Sequence, residues 1–309
     1  MTSEIAHQEK RSAALSSVIA AVGLTGFKIV VGLMTGSLGI LAEAAHSGLD
    51  LVAAIVTLWA VHHSGKPADR DHLYGHGKIE NLSALFETLL LLVTCIWIIH
   101  EATDRLLYQS VKVAATFWAF TVMITSIVVD VHRSRRLYRA AHKHQSQALQ
   151  ADAMHFSTDI WSSAVVLLGL VCLKLAAWFP ALQVLNKADS IAALGVAVIV
   201  IIISGRMGLS SIQQLLDTAP AGMVEKIIAA VEAMPGVVDC HHVRLRHSGP
   251  LLFVDIHVLM DGNQTLRAAH ALTDDIERHI QNIVPDSDVT VHPEPIERAT
   301  QPSNSTTKS

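Results

Sequence analysis

The sequence predicts an all-α bundle of six membrane-spanning helices followed by a small α+β domain of order αββαβ. Three observations carry that prediction. The composition is too apolar and charge-poor for an ordinary soluble chain: of 309 residues 51% are hydrophobic and 16% charged, with mean hydropathy +0.40. Apolar windows of about twenty residues, the length a helix needs to cross the hydrocarbon core, can be placed six times. Near residue 210 the texture changes to a shorter helical pattern and period-two alternation.

The six windows run over 13–34, 38–62, 80–103, 113–132, 153–179 and 188–209. The opening MTSEIAHQEK is polar and leads into the first window without a small-residue cleavage site, so that window is expected to be kept as a span. This gives a tail over 1–11 and a transmembrane domain over 12–209. Lys66, Arg70 and Lys78 follow span two, and Arg133, Arg135, Arg136, Arg139 and Lys143 follow span four. The connection MTGSLG between spans one and two has no Lys or Arg, so the positive-inside rule places the basic loops and both termini in the cytoplasm. Gly23, Gly26, Gly32, Gly36, Gly39 and Gly48 permit close helix approach.

The second domain, over 210–295, opens on a helical pattern, PAGMVEKIIAAVEAM, broken by Pro235-Gly236. A first extended stretch, VVDCHHVRLRHS, meets a Gly249-Pro250 turn and then LLFVDIHVLM. There Leu252, Val254, Ile256 and Val258 alternate with Phe253, Asp255, His257 and Leu259, as in a strand with one face better buried. Asp261-Gly262 is a turn, a second helix covers 264–283, and DVTVH is a short strand. The tail over 296–309 is polar and has too little apolar surface to fold.

Composition also narrows function. Against 27 Asp and Glu stand 23 Lys and Arg, a net charge of −4, so no basic surface suits a nucleic-acid backbone. Cys95, Cys172 and Cys240 are too scattered for a disulfide framework or a CxxC zinc site. The 18 histidines point toward metal or proton handling, with plain surface histidine as the alternative.

Charged side chains inside a span cost roughly 2.5–3.5 kcal/mol each on insertion scales. Span two reads LAEAAHSGLD and span five QADAMHFSTD, both of the form Ala-acid-Ala-x-His-x-x-x-Asp. Glu43, His46 and Asp50, and likewise Asp152, His155 and Asp159, fall at i, i+3, i+7 on one helix face. If the faces meet, His46, Asp50, His155 and Asp159 offer two imidazole nitrogens and two carboxylates, a set suited to tetrahedral Zn²⁺. The competing reading is buried pairs that stabilise a bundle. Glu43 and Asp152 either orient ligands from outside the set or face water.

These motifs, the loop KPADRDHLYGHGKIE and the αββαβ module together resemble the cation diffusion facilitator family, from span one to about His292. His72, Tyr74, Gly75, His76, Gly77, Lys78 and Glu80 resemble that family's HxYGHGK-E stretch. The resemblance implies a ferredoxin-like, metallochaperone-like cytoplasmic domain in a homodimeric exporter that exchanges divalent metal for protons. It implies His46, Asp50, His155 and Asp159 as the transport site, and the His at the first position resembles zinc-selective members, with Cd²⁺, Fe²⁺ and Co²⁺ as further candidates and Mn²⁺ disfavoured. A second site is implied at Asp69, His72 and His76, whose spacing suits one side of a helix start; a solvated polar hairpin is the alternative. Dimer-bridging metals would map to His241, His257, His270 and His292, with Glu294 at a carboxylate position. Surface histidines are the bland reading there, Pro293 replaces a ligand some relatives offer, and Cys240 is a possible soft ligand.

An imidazole must lose its proton to hold Zn²⁺, so metal and proton would compete for one site in a bundle that rocks about it. No organic cofactor and no enzymatic activity are expected: a membrane zinc hydrolase would want an open coordination position and a general base, and no HExxH is present. A membrane-anchored metal sensor or scaffold that does not transport is the other reading. The expected location is a bacterial inner membrane.

Overall fold

The structure is a computed structural model that describes residues 2–107, 117–176 and 188–296. Two compact units divide the chain between Leu216 and Asp217.

The first unit contains α1 (Thr2–Thr35), α2 (Leu38–Ser64), α3 (Lys78–Leu107), α4 (Phe117–His144), α5 (Gln147–Ala176) and α6 (Ala188–Leu215). Each overlaps an apolar window of the sequence. Among the described residues, four stretches are long and apolar enough to cross a membrane: Glu4–Thr35, Leu38–Ser64, Lys78–Asp104 and Leu194–Leu215. The second half of α4 is basic, and the first half of α5 carries Asp152, His155 and Asp159.

The stretch over 1–11, expected as a tail, is instead helical from Thr2 and continuous with α1. Lys10 explains this, because it is buried with its ammonium 2.6 Å from Glu80 Oε1, which ties the segment into the bundle. At the other boundary α6 continues past 209 to Leu215, where buried Ser211 donates to Gln147 Oε1 at 3.2 Å. The expected start of span four at 113, the end of span five at 179 and the tail beyond Ile296 lie outside the described residues.

Tight links make two helical hairpins. Gly36, at φ 61°, ends α1, and the Ser37 hydroxyl accepts from Ile40 N at 3.4 Å to cap α2. Between α4 and α5, Gln145 takes φ 48° and Ser146 Oγ accepts from Leu149 N at 3.4 Å. Of the six glycines expected to allow close approach, Gly32 does so: a Cβ there would fall 2.7 Å from Leu41 Cδ2. One at Gly23, Gly26 or Gly48 would meet nothing within 4 Å.

Polarity in this unit runs inside out. Leu33, Met34, Val52, Trp59, Val93, Ile96, Trp97 and Ile202 are exposed, while Lys28, Asp50, Glu87, Asp130, Arg133, Asp152 and His155 are buried. That is the distribution expected when lipid is the solvent and ionisable groups face the bundle interior.

The second unit has α7 (Met223–Glu232), β1 (Val237–Ser248), β2 (Leu251–Met260), α8 (Leu266–Ile283) and β3 (Ser287–Pro295), the predicted αββαβ order. The sheet order is β1-β2-β3, antiparallel and then parallel. Leu252, Val254, Ile256 and Val258 of β2 form its buried face, packed with Ile227 and Val231 of α7 and Ile276 and Ile280 of α8. The odd-numbered side chains of β2, His257 among them, therefore stand on the face away from that core.

Candidate metal centres

The two repeated motifs meet. α2 and α5 set His46 Nε2 at 3.9 Å from both Asp50 Oδ1 and Asp159 Oδ1. His155 Nε2 lies 3.0 Å from Asp50 Oδ1 and 3.7 Å from Asp159 Oδ2. Imidazole and carboxylate thus alternate around a closed ring, with the ligand atoms of His46, Asp50 and Asp159 all within 4.8 Å of one another. Asp159 Oδ2 and His155 Nδ1 are buried without a hydrogen-bond partner. An N₂O₂ set with an unsatisfied carboxylate oxygen is chemically suited to a tetrahedral divalent cation.

Asp152 and Glu43 lie outside the ring. Asp152 is fully buried and accepts from Ser17 Oγ at 3.2 Å. Ser17 in turn accepts from Arg133 Nε and Nη2 at 3.3 and 3.1 Å, and Arg133 Nη1 donates to Asp130 Oδ1 at 3.3 Å. The guanidinium carbon lies 3.4 Å from the centre of the Phe156 ring, next to His155. Glu43 is partnered by Lys28 Nζ at 3.3 Å, and that ammonium also donates to Ser47 Oγ at 2.8 Å. Glu87 of α3 is buried and accepts from the Thr57 hydroxyl. Lys28, Glu87 and Asp130 escaped the sequence reading, although the signal existed: each is an ionisable residue inside an apolar window. Arg133, expected in a basic loop, is a buried residue of α4.

Asp69, His72 and His76 also come together, but not on a helix as their spacing suggests. They sit in the loop before α3, which starts only at Lys78, and Gly75 takes φ 72°. Asp69 Oδ1 accepts from the amides of His72 and Asp71 at 2.7 and 3.0 Å, and these donors hold its carboxyl below the usual range. His72 Nδ1 and His76 Nε2 each lie 3.4 Å from an Asp69 oxygen. The side chains converge by a turn around Asp69.

In the second unit the sheet register aligns three histidines. His241 pairs with His257 across β1 and β2, and His257 with His292 across β2 and β3. Glu294 Oε1 is 2.7 Å from His257 Nδ1, and Glu294 Oε2 is 3.2 Å from His241 Nε2. The hydrogen bond with His257 holds the Glu294 carboxyl below its ordinary value. His242, not singled out from the sequence, joins His241 and His257 with ligand atoms within 4.8 Å. His270 is exposed on α8 beside Asp274 and belongs to none of the ligand groups found among the described residues. Cys240, offered by the sequence as a soft ligand, is instead part of the core, and burial pushes its thiol up to about 11.

Comparison with known proteins places these geometries in context. Residues 14–216 match the family profile described as the cation efflux transmembrane domain, and residues 219–296 that of the cation efflux protein cytoplasmic domain. The chain is 32% identical over 291 residues to a cation-efflux pump FieF of Yersinia enterocolitica, covering 92% of each. It is likewise 32% identical over 284 residues to a cation-efflux pump FieF of Cronobacter sakazakii, again covering 92% of each. Among solved structures, the metal-bound C-terminal domain of a CzcD transporter from Thermotoga maritima is 33% identical, covers 25% of this chain and 91% of its own, and superposes with a TM-score of 0.24. The match of most of the chain to the transmembrane profile, together with whole-length relatives, shows that this protein belongs to the cation efflux family of multi-pass membrane transporters, the cation diffusion facilitators.

Proposed function

We propose that this divalent-cation efflux carrier moves Zn²⁺ outward in exchange for protons, with His46, Asp50, His155 and Asp159 as the transport site. The observation that carries the reading is the alternating ring of two imidazoles and two carboxylates contributed by α2 and α5. Its two nitrogens favour Zn²⁺, with Cd²⁺, Fe²⁺ and Co²⁺ next, over Mn²⁺, which prefers oxygen ligands. Each imidazole binds either a proton or the metal, so a bundle that opens alternately to each side would return with protons where it left with metal. Asp69, His72 and His76 form an entry or holding site in the loop. The face with His241, His257 and His292 binds metal in a homodimer; His270 fits that set only if offered from a different chain of the dimer. The chain sits in a bacterial inner membrane with both termini in the cytoplasm.

The test is metal uptake into proteoliposomes with an imposed pH gradient, comparing Zn²⁺, Fe²⁺ and Mn²⁺ for the intact chain and Asp50→Ala. Zn²⁺ flux that follows the gradient and vanishes in the variant is the expected result. Folded protein that moves no metal above empty liposomes would leave a non-transporting metal sensor as the better reading.

A further inference from the structure

The pairing of β1 with β2 slips between His241 and Arg244: three steps along β1 face two along β2, from His257 to Asp255. His242 occupies this bulge with φ 50°, in the left-handed region that only a few per cent of non-Gly residues adopt. Without the bulge, strict alternation would send residue 242 to the core side with Cys240. With it, the core parity changes from Cys240 to Val243 and Leu245, and both His241 and His242 are released to the open face. The His242 ring stands perpendicular to that of His257 with centroids 5.1 Å apart, and 5.1 Å from that of His241.

We propose that His242 is a metal ligand, and that the bulge builds an all-imidazole cation position from His241, His242 and His257 beside the carboxylate-containing set of His257, His292 and Glu294. The proposal rests on the reading above that this face of the sheet binds metal. Ligand atoms within 4.8 Å of one another need only small rotamer changes to reach the roughly 3.3 Å spacing implied by Zn–N bonds of about 2.0–2.1 Å. A neutral imidazole gives one lone pair to one metal, so the two sets compete for His257. Three nitrogens select borderline cations such as Zn²⁺ and Co²⁺, whereas the set with Glu294 is more tolerant of oxygen-preferring Mn²⁺. His242 is therefore the residue that sets the metal preference of this domain. A bulge needed only for shape would be served at lower strain by Gly.

The experiment uses the full chain in detergent with Asp50→Ala and Asp69→Ala as background, so that binding at the other two centres is suppressed. Competitive dialysis with Zn²⁺ and Mn²⁺, and ligand-field absorption of Co²⁺, are read for this background and with His242→Asn, His242→Gly or His257→Ala added. Asn and Gly both accept the left-handed backbone, so the fold is kept while the imidazole is removed. Zn²⁺ and Co²⁺ binding at least tenfold weaker in both His242 variants, with Mn²⁺ binding unchanged, is the expected result. Unchanged Zn²⁺ binding in both, with loss in His257→Ala, would overturn the role of His242 and leave the metal-binding face standing. No effect of His257→Ala either would overturn both.

Discussion

Arg133 shows what a buried charge does in this bundle. Its guanidinium donates to Ser17 and Asp130 and covers Phe156, so it fixes the helix turn that carries His155 without touching the four-ligand ring. Both Arg133 and Asp130 are buried, and removing one partner strands the other. Arg133→Met is expected to cost about 3–5 kcal/mol of stability, with Asp130→Asn in the same chain recovering much of it, as read from thermal melts in detergent. His247 makes the opposite case on the sheet. Burial lowers its pKa below the ordinary imidazole value of about 6.5, so the unfolded chain binds its proton more readily than the folded one. The stability linked to His247 is thus present above 6.5 and is lost as pH falls below that value toward the folded pKa. His247→Phe should flatten the fall in melting temperature between about pH 7 and 5. Residues such as His46 and Asp159 were legible because their motif occurs twice; Lys28, Glu87 and Asp130 occur once each, and their roles depend on partners in other helices.

At the level of elements, apolar windows mark the long helices among the described residues and alternation marks β2, while local turn chemistry decides what these patterns cannot. The i, i+3, i+7 spacing of Asp69, His72 and His76 suits a helix, yet Asp69 takes the amides of Asp71 and His72 for its own side chain and the chain turns instead. The β1 bulge is equally hidden, since it exists only relative to the register of β2. β2 itself was readable because Leu252 to Val258 alternate without interruption. The α1–α2 hairpin turns on Gly36 at φ 61°, where a β-branched residue is disfavoured. Gly36→Val should lower stability by roughly 1–2 kcal/mol and Gly36→Asn by less, measured by thermal unfolding in detergent.

The molecule as a whole divides its chemistry between two units with different solvents in mind. The first buries ionisable groups behind an apolar exterior, so its stability cannot be separated from lipid or detergent. The second closes its own core from Ile227, Val231, Leu245, Val254, Ile256, Ile276 and Ile280. A fragment of residues 217–309 should therefore fold alone and unfold cooperatively, though with the modest stability of so small a core. Because the histidine face lies outside that core, a metal bound there would contribute through linkage: Zn²⁺ at 100 times its dissociation constant should add about 2.7 kcal/mol. The melting temperature of the fragment should rise with Zn²⁺, and His257→Ala should abolish the rise with little change in the metal-free value, since His257 stands on the face of the sheet away from the core. If the metal-free fragment showed no cooperative transition, the second unit would depend on the first for its fold, and the division seen between Leu216 and Asp217 would be one of shape alone.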